Sequence, residues 1–102
     1  MDPFKPYQPR LRQAAPPKLT VESAQAVAFK ALAFIAADDA MLSGFVTATG
    51  CGLDEIKGRL AEDGFLGAVL DFLLGDEQAV IAFAEDEGFH PDTPMLARMK
   101  LG

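Results

Sequence analysis

The stretch LAFIAADD, residues 32–39, returns in altered form as LDFLLGDE, residues 70–77, at an offset of 38 positions. At this offset, segments 27–54 and 65–92 share six identical residues, and most other core positions are apolar in both. The matched positions are acids suited to cap helices, glycines suited to end them, and aromatic residues. Similarity at a fixed spacing is typical of a duplicated structural unit. We therefore predict that most of the chain consists of two similar helical units.

Each predicted unit contains a long apolar helix, an acidic cap, a second helix and a glycine that ends it. The two units cover about residues 24–62 and 63–100. Residues that favour helix starts, and glycines that favour helix ends, divide the body of the chain into helices. The predicted starts are Thr20, either Asp38 or Asp39, Asp63, Asp76 and Thr93 before Pro94, and the predicted stops are Gly50 and Gly88.

No segment shows the sustained alternation of apolar and polar residues, rich in β-branched side chains, that indicates a strand. We therefore predict an all-α fold, a compact bundle of five to six helices. Because the first long helix is apolar on more than one side, it should be buried on more than one side. We expect the two long helices to pack on each other, with Phe34 and Phe72 in the core between them.

Charge and proline content separate the chain into two parts. Five of the seven prolines fall in the first 17 residues, and proline is excluded from helix and sheet interiors. Residues 1–19 carry four bases against one acid, a net charge of +3, whereas residues 20–102 carry five bases against fourteen acids, or −9. We predict a flexible, proline-rich basic arm at residues 1–18 and a helical domain at residues 19–102.

Several function classes do not fit this composition. A net charge of −6 disfavours a general nucleic-acid binder, which needs a basic surface to neutralise phosphates. The single cysteine, Cys51, cannot form an internal disulfide, and no paired Cys/His cluster indicates a zinc site. The chain has no apolar run of about 18 residues and no signal-peptide pattern at its start. We expect a soluble cytoplasmic protein with no cofactor and no membrane partner.

The arm has the features of a short docking peptide. Its prolines at positions 3, 6 and 9 would share one edge of a polyproline II helix. Phe4 and Tyr7 would share a second edge, and Arg10 follows them. Two interpretations remain open. The arm is either a solvated leader or a segment that binds through aromatic anchors and a basic end.

An acidic cluster, Glu85-Asp86-Glu87, falls in the last turn of the predicted fifth helix. The negative end of the helix dipole disfavours acids there, and the matching residues of the first unit are neutral. Solubility is one explanation. The other is a docking surface for a basic partner or for the protein's own arm.

His90 and Cys51 are the first candidates for catalysis, because imidazole is a general base and a thiolate is a nucleophile. His90 lies between Phe89 and Pro91 in a predicted turn, and Cys51 lies between two glycines. No motif places a catalytic partner beside either residue. We therefore interpret both as turn residues and expect no catalytic site.

Paired acids raise the question of a metal site, because Asp38 and Asp39 recur as Asp76 and Glu77. Repeated carboxylates could form a pseudo-symmetric calcium or magnesium site. No loop, however, has alternating oxygen ligands, and helix capping explains acids at these positions. We expect no metal site.

The repeated pattern resembles a known family. The segments Leu32–Asp39, Phe65–Glu77 and Phe83–Gly88 are similar to those of the uncharacterised family domain of unknown function 3572, found mainly in alphaproteobacteria. The resemblance extends over about Val21 to Lys100 and leaves out the arm. It implies an all-helical fold, and it implies no reaction, cofactor or binding residue.

Two functions remain. The first is a non-enzymatic protein–protein interaction module, with Glu85–Glu87 and the arm residues Phe4, Tyr7 and Arg10 as candidate contacts. The second is a transcription-associated DNA-binding protein that uses a helix-turn-helix-like unit, such as residues 39–60, together with the basic arm. Nucleic acid is the weaker prediction, because a recognition helix at residues 54–61 would carry only two bases and begin with two acids. The sequence allows a homo-oligomer but does not indicate one.

Overall fold

A computed structural model describes residues 18–101 as six α-helices, with no strand in that range. This confirms the all-α prediction and the expected number of helices. Phe4, Tyr7, Arg10 and the rest of the predicted arm before Lys18 lie outside the described residues. The helices are α1 (Val21–Ala36), α2 (Asp39–Thr49), α3 (Leu53–Arg59), α4 (Asp63–Leu74), α5 (Glu77–Glu87) and α6 (Thr93–Leu101).

Helices α1, α2 and α5 begin at the residues expected from sequence, and α2 and α5 also end at the expected glycines. The Thr20 hydroxyl accepts a hydrogen bond from the Ser23 amide at 3.0 Å. The carboxylates of Asp38 and Asp76 accept hydrogen bonds from backbone amides in the first turns of α2 and α5. Gly50 and Gly88 end these two helices with φ of 69° and 71°, in the left-handed region that glycine adopts without a steric penalty. These predicted caps and stops are confirmed.

Two predicted helix starts were wrong. Asp63 does not precede α4 as a cap but is its first residue, and its carboxylate accepts a hydrogen bond from the Gln25 side chain of α1 at 2.8 Å. Thr93 is likewise the first residue of α6, because the turn before it already supplies the carbonyl of Asp92 to the Leu96 amide. The Thr93 hydroxyl is buried and has no hydrogen-bond partner in the described part of the chain.

The core lies where α1, α4 and α6 pack against one another. The two long helices are in contact as predicted, and α6 also packs against both of them. Small side chains on α1 allow this close approach, whereas α4 contributes larger aliphatic ones. An ion pair between Arg98 Nε and Asp71 Oδ1, 2.8 Å apart, also joins α6 to α4. The central buried residues are Ala24, Ala28, Ala31, Ile35, Leu66, Val69, Leu70, Leu73 and Ala97.

The aromatic residues are arranged differently from the prediction. Phe45 and Phe83 are fully buried, whereas Phe34 and Phe72 are only half-buried at the edge of the core. The reason is helical geometry: Ile35 and Leu73 occupy the inward-facing stripes, and the preceding residue is rotated by about 100°.

The half-buried rings nevertheless contact the buried ones edge to face. The ring centroids of Phe34 and Phe83 are 5.6 Å apart, and those of Phe72 and Phe45 are 5.5 Å apart. Each long helix therefore contacts the second helix of the other predicted unit. The division of the chain into two similar units stays a prediction.

Candidate functional site

An open apolar groove, here called the α1–α3 groove, lies between α1, α2 and α3. Its volume is about 450 Å³, and among residues 18–101 Lys57 is the only charged residue that lines it. Phe29 of α1 and Leu53 of α3 both line it, with 45% and 59% of their surfaces exposed. Further apolar lining comes from Leu32, Ala33, Ala36, Leu42, Ile56 and Leu60.

The groove exists because α1 is apolar on two sides. One stripe is buried against α4 and α6, while Phe29, Ala33 and Ala36 form a second stripe at helical spacing. Helices α2 and α3 cover this second stripe incompletely. Helix α3 has only seven residues, and Ile56 is its one buried side chain.

A shallower depression of about 320 Å³ continues the groove toward the start of α2. It shares Leu42 and Leu53 with the groove, and Asp39 contributes a carboxylate. Asp54 and Glu55 follow Leu53 in the first turn of α3. The Glu55 carboxylate accepts a hydrogen bond from the Gly52 amide at 3.0 Å. The surface is thus apolar in the groove, more polar in the depression, where Ser43 and Thr47 also line it, and carries acids at the α2 and α3 starts.

The acidic cluster predicted as a docking surface lies at the exposed end of α5. All three residues, Glu85, Asp86 and Glu87, are exposed. Lys30 Nζ of α1 is 3.2 Å from Glu87 Oε1, so this acid forms an ion pair with the residue next to Phe29. The pair offsets part of the unfavourable charge at the end of the helix.

The two candidate catalytic residues have local structural roles. The Asp92 amide donates a hydrogen bond to His90 Nδ1 at 3.0 Å, which stabilises the turn before α6. The Asp92 carboxylate is farther from that nitrogen, at 3.8 Å. Cys51 is buried, and its amide donates a hydrogen bond to the Thr49 hydroxyl at 3.2 Å.

Of the repeated acids, Asp38 and Asp76 cap helices, whereas Asp39 and Glu77 are the first residues of α2 and α5. Asp38 binds the Met41 amide, and Asp76 binds the amides of Gln78 and Ala79. Across residues 18–101, no group of three or more His, Cys, Asp or Glu side chains has a metal-binding arrangement.

None of the described helices has, by itself, the length and hydropathy needed to cross a membrane. The pair α1 and α2 passes this test only when the two are taken together across a bend of 117°.

The groove was not predicted as a site. The sequence feature that could indicate the groove is the apolar character of α1 on two sides, but this feature by itself predicts burial on both sides. Leu53 gave no separate signal, because a single apolar residue in a short helix is common in buried and exposed positions alike.

Comparisons with known proteins identify a family. No curated protein and no solved structure matches the chain significantly. The family described as "Protein of unknown function (DUF3572)" matches residues 21–102, a range that begins with the first residue of α1 and includes all six helices. The resemblance inferred from the repeated segments is therefore confirmed, and the chain belongs to the DUF3572 family.

Proposed function

We propose that this protein is a non-enzymatic protein–protein interaction module whose α1–α3 groove receives apolar side chains of a partner segment. The observation that carries the proposal is the exposure of Phe29 of α1 and Leu53 of α3, which line the same groove. Large apolar side chains that share an exposed concave surface are typical of interaction sites. Burying such a side chain from full exposure contributes about 1.5–3 kcal/mol. Because about half of each side chain is already covered, the two anchors together contribute roughly that amount on binding.

The charge of the domain indicates what kind of segment would bind. Residues 20–102 carry a net charge of −9, and Asp39, Asp54 and Glu55 lie at the helix starts near the groove. Complementary charge accelerates association and disfavours acidic competitors. The expected partner segment therefore combines apolar or aromatic anchors with basic flanking residues. The exposed acids Glu85 and Asp86 would add to its attraction from a greater distance.

His90 and Cys51 bear on two further parts of the proposal, the absence of catalysis and the cytoplasmic location. His90 Nδ1 accepts a hydrogen bond from the Asp92 amide, and the Cys51 side chain is buried, which supports a role without catalysis. A cytoplasmic location is part of the proposal, and a buried, unpaired cysteine such as Cys51 is compatible with a reducing compartment.

The test compares proteins retained by immobilised wild-type chain with those retained by the Phe29→Asp and Leu53→Asp variants. Met99→Asp is the matched control, because Met99 is an apolar residue of α6 with 70% exposure and lies outside the groove. We expect a partner that binds wild type and the control but is lost from both groove variants. Circular dichroism verifies that all four proteins keep their helices. A partner retained equally by all four would contradict the proposal.

The acidic cluster needs a separate measurement. Replacing Glu85, Asp86 and Glu87 by their amides should slow association with the partner and reduce its salt dependence, while leaving dissociation nearly unchanged. An unchanged association rate would remove the cluster from the interaction surface.

The DNA-binding alternative has less support. Asp54 and Glu55 occupy the first turn of α3, where a recognition helix would approach phosphates. A mobility-shift assay at low salt distinguishes the two functions. Saturable DNA binding that weakens as salt rises would favour the alternative over the interaction module.

A further inference from the structure

We infer that the protein forms a symmetric dimer through α3, in which one face of the helix packs against the same face of a second copy in antiparallel orientation. This face, here called the α3 face, consists of Leu53, Asp54 and Lys57, which are all exposed. The inference goes beyond the proposed function, because it concerns self-association. Since Leu53 and Lys57 also line the α1–α3 groove, a bound second copy would compete with a partner there.

The three residues lie on one side of α3. At about 100° per residue, Lys57 is rotated by about 40° from Leu53, and Asp54 by about 100° in the same direction. Ile56, the one buried side chain of the helix, is rotated by about 60° in the opposite direction. The α3 face therefore has an apolar residue at its groove edge and two opposite charges beside it.

The charges of the α3 face are ordered along the helix. Asp54 lies in the first turn of α3 and Lys57 in the last. Asp39 lines the same depression as Leu53, so a further carboxylate lies at the acidic end. Within residues 18–101, neither Asp54 nor Lys57 forms an ion pair. The α3 face therefore exposes a negative end and a positive end to solvent.

A two-fold axis brings these opposite charges together. In a symmetric dimer both copies use the same patch, and an axis perpendicular to α3 makes the two helices antiparallel. With the axis between residues 55 and 56, Asp54 lies level with Lys57 of the partner subunit. The two Leu53 side chains then lie on one side of the contact, where each loses exposed apolar surface. The α3 face is thus complementary to itself in charge.

The charge of the whole chain limits the strength of this contact. Two copies with a net charge of −6 repel each other at long range, so association needs opposite charges where they touch. A helix of seven residues also gives an interface smaller than that of a standard complex. We expect a reversible dimer with a dissociation constant on the order of 100 μM.

Charge reversal tests the pairing, with sedimentation velocity of the full-length protein measured below and above that dissociation constant. Lys57→Glu and Asp54→Lys should each weaken dimerisation roughly tenfold or more, because each places like charges opposite one another. An equimolar mixture of the two variants should dimerise like wild type, since both pairs between the subunits again join opposite charges.

Arg59→Glu is the matched control. Arg59 is an exposed base of the same helix, rotated by about 160° from Lys57, so its reversal changes the net charge equally without altering the α3 face. We expect this variant to dimerise like wild type. Circular dichroism verifies that all the variants keep their helices.

Other results would overturn the inference. A wild-type protein that stays monomeric at every concentration would exclude the dimer. Dimers that resist both reversals, or variants that fail to associate when mixed, would show that Asp54 and Lys57 do not pair between subunits. Oligomers larger than a dimer would mean that the contact is head-to-tail rather than two-fold.

The groove variants separate this inference from the proposed function. Leu53→Asp should lose both the dimer and the partner, whereas Phe29→Asp should lose the partner and keep the dimer. If wild type is monomeric and both groove variants still lose a partner, the dimer is wrong and the interaction module stands. If the dimer forms and no partner depends on Phe29, self-association stands and the proposed function is wrong.

Discussion

The short helices α3 and α6 differ in how they contact the rest of the bundle. Helix α6 has nine residues, packs against both α1 and α4, and buries Ala97 completely. Helix α3 has seven residues, buries only Ile56, and leaves Leu53 59% exposed. The difference shows that the apolar content of a short helix does not determine its role. Ala97 is small and allows α6 to contact two helices, so α6 completes the core. Leu53 is large and lacks such contacts, so α3 borders a groove.

The largest expected loss of stability distinguishes an aromatic residue of the core from one that lines the groove. Phe45→Ala should lower the free energy of unfolding by about 3–5 kcal/mol, because it leaves a cavity beside the rings of Phe65 and Phe72. Phe29→Ala, with a side chain that is 45% exposed, is the matched control and should cost less than about 1 kcal/mol. Urea denaturation measures both. Equal losses would mean that the groove side of α1 is as well packed as the core.

A smaller loss of stability is expected from a substitution that tests the packing of α6. Ala97→Leu should destabilise the fold by about 1–3 kcal/mol, since the larger side chain would separate α6 from its neighbours. Met95→Leu, on an exposed position of the same helix, should leave stability nearly unchanged. Thermal melts followed by circular dichroism provide the comparison. If Ala97→Leu melts like wild type, the contact of α6 with α1 and α4 is not tight.

The smallest expected change in stability is in α3. Gly58→Ala should stabilise the helix by about 0.5–1 kcal/mol, because an added Cβ meets no neighbouring atom and alanine favours a helix. Gly88→Ala should have the opposite sign, since φ at Gly88 is 71° and a side chain is strained there. Amide hydrogen exchange in α3 and chemical denaturation measure the two changes. A destabilising Gly58→Ala would show that α3 depends on glycine for its conformation.

Sequence predicted the features that depend on neighbouring residues. Asp38 and Asp76 bind backbone amides within three positions, and Gly50 and Gly88 end their own helices, so these caps are encoded locally. The assignment of core aromatics failed because it needed the rotation of each helix about its axis. Phe34 lies one position from the inward-facing Ile35, and apolar character alone does not distinguish the two.

The candidate site was harder to predict than the fold. The acidic residues Glu85–Glu87 were recognisable because their charge conflicts with the helix dipole, but their contact with Lys30 depends on how α5 is placed relative to α1. The groove depends on the placement of α3, which follows two closely spaced glycines and buries one side chain. No local pattern specifies where such a helix lies.

The contact between α1 and α6 also affects how the chain folds and opens. These helices lie near opposite ends of the described residues, so their contact closes a long loop and raises the contact order above that of a bundle of sequential hairpins. Detaching α6 exposes apolar surface on α1 and α4 at once. Opening at this end is therefore coupled to the whole core, and amides of α6 should exchange with solvent mainly through global unfolding rather than local fraying.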